Sequence, residues 1–202
     1  MDQRAVQFFF SVGSRYSYLA SRLVPELERE HGAVFDWIPV HGPDLIKASG
    51  MDPFEPANSR GQYTAAYRRA DAIAWAKHYA IPYTDPDWDR VDLRFLSSAC
   101  TAAHVLGCAE RFSKFVFEAV FCRSSAPDNP SKLRDCCPDD LPIASLLDVL
   151  SGDLVKARME ANLDLARSSG AFGVPTFVTS DGKLFWGQDR VPLLRDHLSF
   201  LI

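Results

Sequence analysis

Nowhere in the 202 residues do two cysteines stand at Cys-x-x-Cys spacing, and no His-x-x-x-His accompanies them. The five cysteines, Cys100, Cys108, Cys122, Cys136 and Cys137, are odd in number and irregular in spacing. No disulfide framework is expected, and the thiols read as reduced. Adjacent Cys136 and Cys137 suggest a redox pair or a metal fragment. With no second pair in reach they read as incidental, and no metal site is expected. Cys100 and Cys108 lie on an apolar helical stretch and read as core filler. No apolar run approaches the 18 residues of a membrane-spanning helix, so no membrane partner is expected. Met1-Asp2-Gln3-Arg4 makes a poor secretory signal, and a cytoplasmic protein is expected. The net charge is −4, from 26 acidic and 22 basic side chains scattered along the chain. That balance offers no basic stripe, which argues against nucleic acid and leaves small molecules or proteins as partners. No internal repeat is visible.

What the chain does have is a large apolar fraction, 47%, enough for a sizeable core. Val6 to Val12 is almost wholly apolar and predicts a strand buried on both faces. Gly13 breaks it, and Ser14 can cap the helix that follows. Tyr16, Leu19, Ala20, Leu23 and Leu27 share one face of that helix, Pro25 should kink it, and Gly32 ends it. Val34 to Val40 alternates and predicts a second strand. A strand–helix–strand start favours a parallel α/β unit.

From Pro43 to Gly170 the periodicity is helical. Segments are expected at Leu45 to Ser49, Gln62 to Tyr79, Leu93 to Leu106, Arg111 to Phe121, Asp139 to Leu150 and Asp153 to Ser168. Pro-rich loops are expected at Ile81 to Asp89 and Ala126 to Pro130. Then β signals return. Thr176 to Thr179 and Lys183 to Trp186 flank Ser180-Asp181-Gly182, a hairpin signal in which Asp181 and Gly182 would both take positive φ. Val191 to Leu201 closes the chain as an amphipathic helix. The order predicts an α/β protein: a thioredoxin-like fold with an inserted all-helical domain. Residues 1–42 and 171–202, with part of the 151–170 helix, would form the discontinuous thioredoxin-like domain. Residues 43–170 would form the helical insertion.

In a thioredoxin-like redox protein a Cys-x-x-Cys begins the first helix. Here that slot holds Ser14-Arg15-Tyr16-Ser17, which rules out dithiol exchange at this site. A helix N-terminus still stabilises a thiolate, and a ligand can bring one. Ser14 is then a candidate to donate a hydrogen bond to a ligand's sulfur, or is an N-cap and nothing more. Gly173-Val174-Pro175-Thr176 precedes the late strand. Pro175 belongs at a strand start or in a tight turn; a rigid turn is one reading and a cis Val174–Pro175 bond the sharper one. Such a loop would face Ser14 and leave the Val174 backbone open to an incoming peptide.

Two stretches carry a resemblance. They are Phe8-Phe9-Phe10 through Ser14-Arg15-Tyr16-Ser17-Tyr18-Leu19-Ala20, and Gly170 to Thr176 with Leu184-Phe185-Trp186-Gly187-Gln188-Asp189-Arg190. Over essentially its full length the chain resembles the 2-hydroxychromene-2-carboxylate isomerases, relatives of kappa-class glutathione transferases in the DsbA-like group. The resemblance implies glutathione as cofactor, an aromatic substrate and a homodimer. It implies that Ser14 contacts the glutathione sulfur. Val174, before Pro175, would pair with the cysteinyl part, and Asp189 and Arg190 would hold the γ-glutamyl end. An ammonium facing a carboxylate and a carboxylate facing a guanidinium fit that last role. From the residues alone, Asp189 and Arg190 are ordinary helix starters, with Asp189 a reasonable N-cap. Four positions depart from the family: Arg15 replaces a proline, Ser11 an aspartate, Met51 an asparagine, and Thr64 aligns near an expected lysine. Arg60, Arg68 and Arg15 are candidate replacements for that cation.

His41 is a candidate to line the cleft, and His104 reads as a satisfied core residue. Tyr63, Tyr67, Arg68, Trp75 and Tyr79 recur near helical spacing, as packing between subdomains or as a wall for an aromatic substrate. Three functions fit: a glutathione-dependent isomerase of an unsaturated aromatic oxo-acid, a glutathione transferase, or a thioredoxin-like module whose site has lapsed.

Overall fold

The computed structural model describes residues 4–50, 55, 60–150 and 152–201. Ala5–Phe10 forms β1 and Val34–Pro39 forms β2, paired in parallel with Ala5 opposite Val34 and Phe10 opposite Pro39. Thr176–Thr179 is β3, antiparallel to β1, and Leu184–Trp186 is β4, antiparallel to β3. The sheet order β2-β1-β3-β4 places the aromatic run of β1 in the interior. Successive strand side chains point to opposite faces. Phe8 and Phe10 accordingly join one core cluster with Trp37, Phe117 and Phe177, while Phe9 joins another with Ile38, Leu45 and Ala171. Both faces of β1 are covered, which is why the strand is apolar throughout. The Phe8 ring stacks on Phe177 at 4.8 Å and meets Trp37 edge-on at 4.9 Å.

Arg15–His31 is α1. Ser14 is extended, with φ −101° and ψ 117°, and its side chain accepts the Ser17 N–H. Gly32, at φ +60°, closes the helix and donates its N–H to the Glu28 carbonyl. Pro25 lies inside α1 without ending it. The buried face is wider than the expected one: Tyr18 and Val24 are buried beside Leu19, Ala20 and Leu27, whereas Tyr16 and Leu23 are only partly covered. The reason is that α1 packs under both the sheet and the later helices, so its apolar stripe widens.

Helices fill the middle of the chain: α2 (Gly42–Ala48), α3 (Ala65–His78), α4 (Leu93–Val105), α5 (Ala109–Phe121), α6 (Pro130–Cys136), α7 (Ile143–Leu150) and α8 (Asp153–Ser168). α3 starts three residues after the expected Gln62, because Thr64 caps it and Gly61–Tyr63 is a separate 3-10 turn. α6 falls partly where a loop was expected. Asn129 caps it by accepting the Lys132 N–H, and Pro130 occupies its first turn. α7 begins at Ile143 rather than Asp139, after Pro138 and Pro142. One continuous set of buried side chains runs from Phe8 and Phe177 on the sheet to Leu96, Phe112, Val116 and Leu146 on the helices.

Val191–Phe200 is α9. The hairpin before it differs from expectation. Gly182 takes φ +83°, while Asp181 is not among the described residues of positive φ. Thr179 and Lys183 still bond across the loop (N···O 3.0 Å), and the Gly182 N–H reaches the Thr179 carbonyl at 2.8 Å. A three-residue loop needs only its last residue left-handed, and that residue is the glycine.

Candidate active site

The end of β1, the start of α1, the start of α2 and the loop before β3 meet at one point. Ser11, buried, ties three of them together. Its N–H donates to Ser17 Oγ at 3.3 Å, and its own Oγ accepts the Gly42 N–H at 3.3 Å. A Cβ on Gly42 would stand 3.2 Å from Ser11 Oγ and 3.8 Å from Val174 Cγ2, so this glycine lets α2 approach closely. The aspartate expected at position 11 is thus replaced by a hydroxyl that knits backbone to backbone.

Ser14 is half-buried at the mouth of α1. Its N–H donates to the Ser11 carbonyl at 3.0 Å, and its Oγ accepts the Ser17 N–H at 3.1 Å. The cap uses the oxygen as an acceptor, so the hydroxyl proton stays available to donate. The N–H groups of Arg15 and Tyr16 have no backbone partner among the described residues. The helix mouth therefore combines a hydroxyl donor, two amide donors and the positive end of the α1 dipole.

The Val174–Pro175 bond is cis. Neither the N–H nor the carbonyl of Val174 has a backbone partner among the described residues, whereas the Pro175 carbonyl accepts the Gly187 N–H at 2.9 Å. Val174 lies beside Gly42 and Ser11, so its unpaired backbone sits on the same rim as α1.

Asp189 and Arg190 lie farther along, in the 3-10 turn Gln188–Arg190 that leads into α9. Their side chains pair at 2.8 Å and are 39% and 53% exposed. Asp189 is not an N-cap: residue 190 holds that position at α9, and no side chain caps the helix. Tyr79 O–H reaches the Gln188 carbonyl at 3.5 Å, and its ring stacks on Trp75 at 5.3 Å. Burial, then the Asp189 carboxylate, raise the Tyr79 phenol above its ordinary value. Trp75 and Tyr79 thus share a corner with Asp189, whereas Tyr67, on the same helix, is 52% exposed.

The candidate cations fall elsewhere. Arg15 Nε and Nη2 bind Asp85 at 2.5 and 3.0 Å, and the guanidinium lies 5.3 Å over the Trp88 ring. Arg68 donates to the Tyr63 carbonyl at 3.1 Å, and Thr64 is the α3 cap. Arg60 is exposed. Met51 lies outside the described residues. His41 flanks α2, with Nδ1 3.1 Å from Ser97 Oγ, and burial lowers its pKa. His104 receives one N–H of the buried Asn162 at Nδ1 (3.2 Å), while Asn162 gives its other to the Pro39 carbonyl at 2.9 Å. All five cysteines are free thiols, Cys100 being pushed by burial to about 12. A shallow depression between Asp36, Trp37, His104 and Glu110, on the outer side of β2, shares no residue with the Ser14 region.

No pattern in the sequence pointed to Asp85, Tyr83 or Asp71. Tyr83 O–H donates to Asp85 at 2.7 Å, and Tyr16 O–H to Asp71 at 2.7 Å. These partners lie 55 to 70 residues from α1's first turn, beyond any local pattern.

A model of the DSBA-like thioredoxin domain matches residues 5–199. A 2-hydroxychromene-2-carboxylate isomerase of Sphingobium xenophagum is 28% identical, over 96% of this chain and 98% of its own. One of Pseudomonas putida is 26% identical, over 97% and 95%. Among solved structures, a 2-hydroxychromene-2-carboxylate isomerase superposes with a TM-score of 0.78 at 23% identity, covering 98% of this chain and 95% of that one. The cytosolic disulfide reductase DsbM from Pseudomonas aeruginosa, in a structure with GSH, gives 0.63 at 17% identity, covering 98% and 96%. With nearly its whole length matched, the chain belongs to the DSBA-like thioredoxin domain family.

Proposed function

We propose that this protein is a glutathione-dependent cis-trans isomerase of 2-hydroxychromene-2-carboxylate or a similar unsaturated aromatic oxo-acid. The observation that carries the reading is the state of Ser14: its oxygen is engaged as a helix cap while its proton is free, at a helix mouth without a cysteine. The full-length likeness to proteins named as that isomerase supports the substrate class.

The residues present fit glutathione. The unpaired N–H and carbonyl of Val174 suit a peptide backbone, and Asp189 beside Arg190 suits an α-ammonium and an α-carboxylate. Glutathione, when bound, would supply a thiolate able to add reversibly to a conjugated carbon, so that a double bond becomes free to rotate. Ser14 would donate to the sulfur, and the Arg15 and Tyr16 N–H groups with the α1 dipole would favour its anionic form. Trp75 and Tyr79 offer a wall for an aromatic ring at the Asp189 corner. The assembly proposed is a homodimer in the cytoplasm.

Product analysis with 2-hydroxychromene-2-carboxylate and glutathione tests this. The expected product has the mass of the substrate and a rearranged spectrum, with glutathione undiminished. A stable thioether, heavier by one glutathione, identifies a transferase instead. No change in either reactant sinks both.

A further inference from the structure

Arg15 is the first residue of α1, where a cation opposes the helix dipole. It is not left alone there. Asp85 clasps it with two hydrogen bonds, and each side chain is only 10% exposed. The clasp belongs to a larger dock. Tyr83 O–H binds the same carboxylate, Tyr18 O–H gives a 2.5 Å bond to the Pro82 carbonyl, and the Thr84 N–H meets the Phe121 carbonyl at 2.6 Å. Segment 81–88 is thereby fastened to α1 at Arg15, the residue next to Ser14, and at Tyr18. From α3, Arg69 stands 3.9 Å from Asp85, while Asp71 bonds Tyr16 and Arg68 faces the same phenol.

A cation at this position left without a partner would add to the helix dipole. A sulfur beside Ser14 would then become a more stable and therefore weaker nucleophile, since nucleophilicity falls with thiol pKa. We infer that Asp85 is a positioning residue for the Ser14 site, which holds the Arg15 guanidinium in a neutral pair and so sets the field that a thiolate meets at the mouth of α1. The inference deepens the glutathione reading, yet it concerns a field that exists whatever ligand binds.

The test therefore needs no glutathione. Ser14→Cys puts a reporter thiol at the helix mouth, and its pKa follows from alkylation rate against pH, resolved from the native thiols by peptide mass spectrometry. Adding Asp85→Asn should lower that pKa, and adding Arg15→Gln should raise it, each by about half a pH unit or more. Mere loosening of the first turn would move both variants the same way, upward. Arg15→Gln with Asp85→Asn removes the buried charge of each sign and leaves Arg69, 65% exposed, to solvent, so it should fold even where a single variant is strained. Its reporter thiol should titrate with the Ser14→Cys parent. Opposite shifts with this return establish the role. Shifts of one sign, no shift, or a displaced double variant overturn it and leave the glutathione reading untouched.

Discussion

Ser14 Oγ accepts the backbone N–H of Ser17 at 3.1 Å, so the residue preceding α1 is a cap with its own proton to spare. Stability and chemistry at this position are separable. Aspartate caps a helix about as well as serine, but it brings a negative charge where the proposed thiolate would be held. Ser14→Asp should keep a melting temperature close to wild type while isomerisation falls by about 100-fold or more. Parallel thermal melts and initial rates check the split. A variant that unfolds, or one that stays active, contradicts it.

Tyr18 lies fully buried, with its O–H on the Pro82 carbonyl and near Cys122 Sγ. Tyr18→Phe keeps the ring and leaves the Pro82 carbonyl only the weak 3.7 Å bond from Cys122 Sγ, at a cost of about 1 kcal/mol or more. Hydrogen exchange should speed up in residues 81–88 before it does in β1. Uniform acceleration would mean that the segment is not held from this point.

Asp85 links the clasp to acid stability. Burial pushes its carboxyl up, but the hydrogen bonds from Arg15 and Tyr83 outweigh that and leave it below its ordinary value of 3.8. A depressed carboxyl contributes stability above its unfolded pKa and loses it as pH falls through the folded one. The urea midpoints of wild type and Asp85→Asn should differ most near pH 6 and converge below about pH 4. A difference that does not change with pH would show that the charge of Asp85 plays no part.

His41 and His104 should act at a higher pH. Burial lowers both below 6.5, and protonating His104 at Nδ1 would also end its bond from Asn162. The unfolded chain therefore binds protons that the folded one resists. Stability should be intact above about pH 6.5 and decline as pH falls toward 5. Replacing both by glutamine should flatten that decline, as urea titrations at several pH values would show.

The readable parts of this chain were those with short-range signals. Gly32 ended α1 and Gly182 turned the hairpin. α6 was missed: Asn129-Pro130, its cap and first-turn proline, were read as loop because they sit in a proline-rich stretch. Asp181 was misassigned because Asp-Gly suits a two-residue turn, while this loop has three residues. Ser14 as a cap and Val174–Pro175 as a cis bond were also visible from sequence. Arg15 was not. Its meaning depends on an aspartate 70 residues away, in a proline-rich segment whose path only the packing of Tyr18 and Phe121 determines.

The most direct test of the central claim is calorimetric titration of glutathione into wild type and Ser14→Ala from pH 6 to 9. The account predicts that wild type binds with the thiol's apparent pKa below that of free glutathione, and that Ser14→Ala loses most of that drop. No binding to either protein at millimolar glutathione would contradict the account, leaving Ser14 a helix cap and the fold a module without this chemistry.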